Sequence, residues 1–204
     1  MSIRTAEVRR ARVRERARTD ILLAAAEVFA RRGYAAATLA ELAEAAGYAA
    51  PSLYRYFEGK EEIFQSLVDL LVGEMIATFD EPVDRTLPIG DRLAALFAAQ
   101  HRLGESRRPI LDLLLSGAGA EARGRIGGRP LGDPHAGLAF YEERMGDWLR
   151  RNASRRELRV APDLAARAIT GLVFAFRPAG PGTSDDPARR ATTVIDLILH
   201  GVAP

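Results

Sequence analysis

The side chains best suited to chemistry in this chain lie between residues 52 and 60, and the chemistry they suit is recognition rather than catalysis. Arg55 carries a forked guanidinium that can donate two parallel hydrogen bonds to a guanine edge. Ser52 offers a hydroxyl to a base or a phosphate, and Tyr54 offers a phenol to a phosphate. Lys60 is the only lysine in the chain. It stands at the start of an expected helix, where helix dipole and side-chain charge together favour a phosphate. The competing reading is that all four are solvated surface groups.

Nothing else groups into a reactive set. His101, His135 and His200 fall in separate elements, with no two at metal-ligand spacing. Glu142-Glu143 reads as a solvated helical face, not an acid–base pair. The glycines between 124 and 132 follow no expected strand, which argues against a phosphate-cradling loop. The chain has no cysteine, so disulfides and thiolate metal sites are excluded. No cofactor and no enzymatic activity are implied.

The elements that must position Arg55 and its neighbours are legible in residues 38–60, TLAELAEAAGYAAPSLYRYFEGK. Thr38 and Glu41 have the spacing of a capping box, so a helix is expected from Leu39. Leu39, Leu42, Ala43 and Ala46 share one face of it. Gly47 supplies the left-handed residue that ends it. A second short helix follows, with Pro51 tolerated in its first turn, where the N–H groups lack helical partners anyway. Leu53, Tyr56 and Phe57 form its inner side, while Ser52, Tyr54 and Arg55 point away. Two short helices joined by about four residues with a glycine make the helix-turn-helix pattern, whose second helix enters the DNA major groove. Spacing alone fits an ordinary helical hairpin equally well.

The residue types favour the first reading. Phe29 and Gly33-Tyr34 close a first helix, and Thr38 opens the second. Leu42-Ala43, Ala46-Gly47, Leu53-Tyr54, Phe57 and Lys60 follow in register. This segment resembles the DNA-binding domain of the tetracycline-repressor (TetR) family of bacterial transcription regulators. The resemblance implies DNA contacts at Thr38, Ala49, Ala50, Pro51, Ser52, Tyr54, Arg55 and Lys60. The chain departs from the family's pattern at Ala49, Ala50 and Pro51. A polar cap and a basic residue often stand there, so a weaker cap is expected, with apolar base contacts such as one to a thymine methyl.

Net charge is only +2, but residues 1–19 hold seven arginines against Glu7 and Glu15. Such a run can follow the phosphate backbone or enter the minor groove; a frayed, solvated tail is the alternative. Apolar content of 48% with alanine-rich runs indicates a mostly helical protein with a real core. No apolar run approaches the ~20 residues of a membrane span. The arginine-rich start has no apolar core of a signal peptide. A cytoplasmic setting is expected, with no membrane partner.

An all-α fold is expected, with a basic arm over 1–18, a helix-turn-helix domain over 19–59 and a second domain over 60–204. Helix 1 should run from about Thr19 to Arg32. Later helices are expected at 60–79, 90–104, 109–115, 134–152, 162–176 and 187–200, and nothing reads as a strand. Residues 116–132 hold six glycines and read as a long connection. The resemblance implies three DNA-binding helices and six more that bind an effector and dimerise. An unknown small apolar or amphipathic effector is then expected among Leu71, Met75, Phe97, Tyr141, Met145, Trp148 and Phe174, with His101 as a polar group and helix 6 as the gate. The last two helices are apolar on more than one face, so Leu172, Phe176, Ile195 and Leu199 are expected in a homodimer interface. The reading as a whole is a homodimeric repressor released from a near-palindromic double-stranded operator. A ligand-independent regulator or activator of the same fold is the alternative, and a helical enzyme the distant one.

Overall fold

The computed structural model describes residues 2–115, 121–126, 128–130, 133, 135–158 and 160–175, with Thr193, Asp196 and Leu197. Among the described residues are eight helices and one two-stranded hairpin. The chain divides into two compact units. The first is Met1–Leu71 with Arg107–Asp133, and the second is Val72–Ser106 with Pro134–Pro204.

In the first unit, α1 is one unbroken helix over Ser2–Arg32, so the expected start at Thr19 is corrected. Arg, Ala and Glu are good helix formers and nothing before Thr19 breaks the run. The Thr19 hydroxyl does not cap; it donates back to the Glu15 carbonyl at 3.1 Å, the bond of a mid-helix threonine. From Ile21 onward the helix acquires a buried stripe, Ile21, Leu22, Ala25, Ala26, Val28 and Phe29. α1 packs on α2 (Leu39–Ala45) and on α6 (Arg108–Leu115). Ile110 and Leu113 are the buried residues of α6, which was expected to gate a cavity in the second domain and here belongs to the first unit. α3 spans Ala50–Leu53, and α4 spans Lys60–Asp80. Phe29, Tyr34 and Phe64 form a ring cluster with centroids 5.2–6.1 Å apart. Each such buried ring contributes about 1.5–3 kcal/mol.

The hairpin β1 (Arg125–Ile126) and β2 (Arg129–Pro130) is a second correction, since no strand was expected. It pairs Arg125 with Pro130 and Ile126 with Arg129. Gly128, at φ +78°, supplies the turn. The Gln65 side chain pairs with Arg125 as a strand backbone would. Its Nε2 donates to the Arg125 carbonyl at 3.2 Å, and its Oε1 accepts from the Arg125 N–H at 2.9 Å. Composition read this stretch as loop because two-residue strands carry no periodicity.

The second unit holds the end of α4, α5 (Ile89–Ser106), α7 (Ala136–Asn152) and α8 (Pro162–Ala175). Phe79, Leu93, Leu96, Phe97, Tyr141, Met145, Trp148, Leu149 and Ile169 are part of its core, with Met75, Leu172 and Val173 packed against it. α7 begins two residues past the expected Pro134, and its N-cap His135 makes no side-chain cap bond. α8 starts at Pro162, where its proline was expected. The expected ninth helix, Phe176, Ile195, Leu199 and the Phe174 side chain lie outside the described residues. Among the described residues no helix is long and apolar enough to cross a membrane.

Candidate nucleic-acid interface

Thr38 opens α2 from extended backbone. Its hydroxyl accepts the Glu41 N–H at 3.3 Å, and the Glu41 carboxylate accepts the Thr38 N–H at 2.9 Å. The expected capping box is complete, and the backbone bond from Thr38 holds the Glu41 carboxyl below its ordinary range. The helix ends with the two bonds of a Schellman motif. Tyr48 N–H donates to the Ala43 carbonyl at 2.8 Å and Gly47 N–H to Glu44 at 3.0 Å. Gly47 sits at φ +75°, so its lack of a side chain is required there.

The second helix is a tighter object than its spacing suggested. α3 proper has four residues, and its N-cap Ala49 makes no side-chain cap bond, as the missing polar residue implied. Helical turns continue past it, with Arg55 N–H on the Ser52 carbonyl at 3.2 Å and Phe57 N–H on Leu53 at 3.0 Å. Leu53 and Phe57 are buried and anchor the turn from below. Tyr56 is half-buried, edge-on to Tyr48 with centroids 5.7 Å apart. Tyr54 is 62% exposed. Thr38, Ala49, Pro51 and Arg55 are exposed too, while Ala50 and Ser52 are half-buried.

Lys60 departs from the expectation of a phosphate contact. Its ammonium donates to the carbonyls of Tyr34, Ala35 and Ala37 at 2.9, 3.1 and 3.1 Å, and it lies 4.6 Å from the centre of the Tyr34 ring. Those bonds occupy its three donors. Lys60 therefore fixes the α1–α2 turn to the start of α4. Tyr34 itself is pushed up to about 12, mainly by burial and then by the nearby Glu61 carboxylate.

Sequence reasoning missed Arg14 and Arg18 as part of this architecture. Arg14 donates to the Arg55 carbonyl at 3.2 Å. Arg18 donates to the Tyr56 carbonyl, pairs with Glu62 at 3.4 Å, and stacks 4.1 Å over the Phe57 ring. The signal was the i, i+4 spacing of Arg14 and Arg18, hidden by reading the segment as an arm.

Of the residues expected around an effector, Phe97, Tyr141, Met145 and Trp148 meet in the second unit's core with Met75 against them. Leu71 belongs to the first unit. His101 is exposed, so its expected role as the polar group there is corrected. Its neighbour Gln100 turns inward instead, and its Oε1 accepts from the Tyr141 hydroxyl at 2.6 Å. Among the described residues, Gln100 Nε2 and Trp148 Nε1 are buried without a hydrogen-bond partner.

A capped helix, a Schellman turn and a short helical turn anchored on buried Leu53 and Phe57 define a helix-turn-helix domain that presents Tyr54 and Arg55 to solvent. Residues 21–67 match the family described as bacterial regulatory proteins, tetR family. The chain is 34% identical over 86 residues to the HTH-type transcriptional activator FasR of Mycolicibacterium smegmatis, covering 42% of this chain and 39% of that one. It is 37% identical over 82 residues to the HTH-type transcriptional repressor KstR2 of Mycobacterium tuberculosis, covering 40% and 41%. The matches thus span about two fifths of those relatives' length. The crystal structure of a TetR family regulator, PfmR from Thermus thermophilus, superposes with a TM-score of 0.60 at 28% identity, over 90% of this chain and 99% of that one. Residues 21–67 are thus similar to the DNA-binding domain of the TetR family, and the chain as a whole is similar in fold to a TetR family regulator.

Proposed function

We propose that the protein is a cytoplasmic, homodimeric transcriptional repressor that binds a near-palindromic operator and is released by a small molecule. The observation that carries this reading is the pairing of two exposed, chemically apt side chains, Tyr54 and Arg55, with a backbone held from beneath by Leu53, Phe57, Arg14 and Arg18. A pre-fixed turn loses little conformational freedom when it docks. The test is binding to duplex DNA selected from a random pool. Arg55→Ala should cost about 1–3 kcal/mol at one or two base positions and leave the others unchanged. A uniform loss across all sequences would make Arg55 a phosphate contact instead, and no selection of a common sequence would sink the reading.

For the dimer, α8 offers an open face at helical spacing, Leu164, Arg167, Ala168 and Gly171, all exposed. Small residues let two helix backbones approach closely, and among the described residues nothing lies within 4 Å of where a Gly171 side chain would start. Packed on its two-fold mate, this face would set recognition turns about 34–36 Å apart, one DNA turn. Ala168→Glu should give monomers in sedimentation and lose operator affinity. A persistent dimer would move the interface elsewhere.

The matched relatives align over about two fifths of the chain, so the effector's chemistry is read from this chain alone. Buried polar groups usually have partners. Among the described residues, Gln100 Nε2 and Trp148 Nε1 are donors without one, beside the buried Phe97, Tyr141 and Met145. An effector with an apolar body and a hydrogen-bond acceptor would suit those groups.

A further inference from the structure

Residues 6–16 of α1 carry no core residue, yet they are helical and they reach the reading turn. Arg10, Arg14 and Arg18 stand at i, i+4 and i+8, one above another on one face. The lower two grip the carbonyls of Arg55 and Tyr56. These carbonyls lie at the C-terminal side of the recognition turn, where cations are favoured. Arg9, Arg12 and Arg16 form a second stripe at i, i+3 and i+7 on another face. Arg9, Arg10, Arg12 and Arg16 are exposed. Among the described residues, no ion pair or hydrogen bond engages their guanidinium groups.

Resting on the DNA-binding reading above, the geometry points to a second contact surface. The start of α1 is a rigid arginine ridge, fixed to the reading turn through Arg14 and Arg18, that binds the sugar–phosphate backbone of duplex DNA beside the bases Arg55 reads. Three observations select this partner. The stripe's lower end is bonded to the backbone of Arg55, so ridge and reading side chain present themselves together. The positive charge outnumbers Glu7 and Glu15 and is entirely guanidinium, which pairs bidentately with phosphate oxygens. Arginines occupy opposite sides of the helix, and the exposed apolar residues Val8 and Val13 lie on different faces. The helix therefore has no apolar side to lay on a lipid surface. Arg14 is a positioning residue, since it acts on base reading through the Arg55 carbonyl.

The experiment uses the full chain and two duplexes of equal length, one carrying the sequence selected by the wild type and one of mixed sequence. Binding is measured over a salt series. Each phosphate contact contributes about −0.9 to the log–log slope. Arg9→Gln, Arg10→Gln and Arg12→Gln combined should flatten the slope by about 2–3 on both duplexes, with base preference unchanged. Ala11→Pro keeps every arginine but interrupts the helix there; it should flatten the slope by a similar amount. Arg14→Gln should blur preference at the bases that Arg55→Ala affects. An unchanged slope in the triple variant would overturn the ridge while leaving DNA recognition intact. An unchanged slope in Ala11→Pro alone would overturn its rigidity and leave a flexible polycation. Failure of the wild type to bind either duplex would overturn the functional reading, and the ridge with it.

Discussion

Replacing Trp148 by alanine is expected to cost about 3–5 kcal/mol of stability, the range for removing a fully buried aromatic side chain. Trp148 is 0% exposed and lies in a core with Tyr141, Met145 and Leu149 of its own helix. Loss of its contacts leaves a hole that helix packing cannot collapse around. In urea the midpoint should fall with little change in slope for the transition of the second unit. Trp148→Phe separates packing from polarity. It keeps most of the ring and removes an indole N–H that is buried without a partner among the described residues. An unsatisfied buried donor costs about 1–3 kcal/mol, so its removal should offset much of the lost volume. The phenylalanine variant should therefore fold with near wild-type stability and bind operator normally. Effector response should weaken, because the donor proposed to meet the ligand's acceptor is gone. A full response in Trp148→Phe would mean that the indole serves the core alone.

The helix-turn-helix was legible because its parts are local. A capping box needs Thr38 and Glu41 three apart, a Schellman end needs Gly47, and inward anchors need Leu53 and Phe57 one turn apart. Each is a short-range rule, and each is met by bonds in the structure. Lys60 was placed differently because its partners, the carbonyls of Tyr34, Ala35 and Ala37, lie some 25 residues earlier. A charge at a helix start signals attraction to an anion only when no nearer acceptors exist. α1 begins well before its expected start: Thr19 has the chemistry of an N-cap, whereas the arginine-rich sequence before it carries no stop signal. His101 and Gln100 show the limit of periodicity in the second unit. One residue is 100° of rotation, and only the packed neighbours reveal which of two adjacent polar side chains turns inward.

Arg92→Ala is the second large effect expected, about 2–4 kcal/mol, and it is one that periodicity hides. The Arg92 side chain is only 4% exposed. It donates from the start of α5 to the carbonyl of Asn152, at the end of α7, and to the Glu157 carboxylate. Glu157 also accepts the Ser154 N–H at 2.9 Å, so one arginine closes the chain segment that joins α7 to α8. Removing one partner of a buried pair typically costs about 3–5 kcal/mol. Glu157 remains 29% exposed and can rehydrate, which lowers the expectation. The pH dependence carries the diagnosis. The Ser154 N–H first, and Arg92 after it, hold the Glu157 carboxyl below its ordinary range. A depressed carboxyl contributes stability above its unfolded pKa, and that contribution is lost as pH falls through the folded value. Once Glu157 is protonated, Arg92 is a buried cation without its counter-charge, so the wild type should lose stability faster on acidification than Arg92→Ala. Urea unfolding of the two proteins between pH 7 and pH 3 should show their stabilities converging. A gap that stayed constant across that window would assign the effect to the Asn152 carbonyl and to packing, and would remove the Glu157 pair from the account.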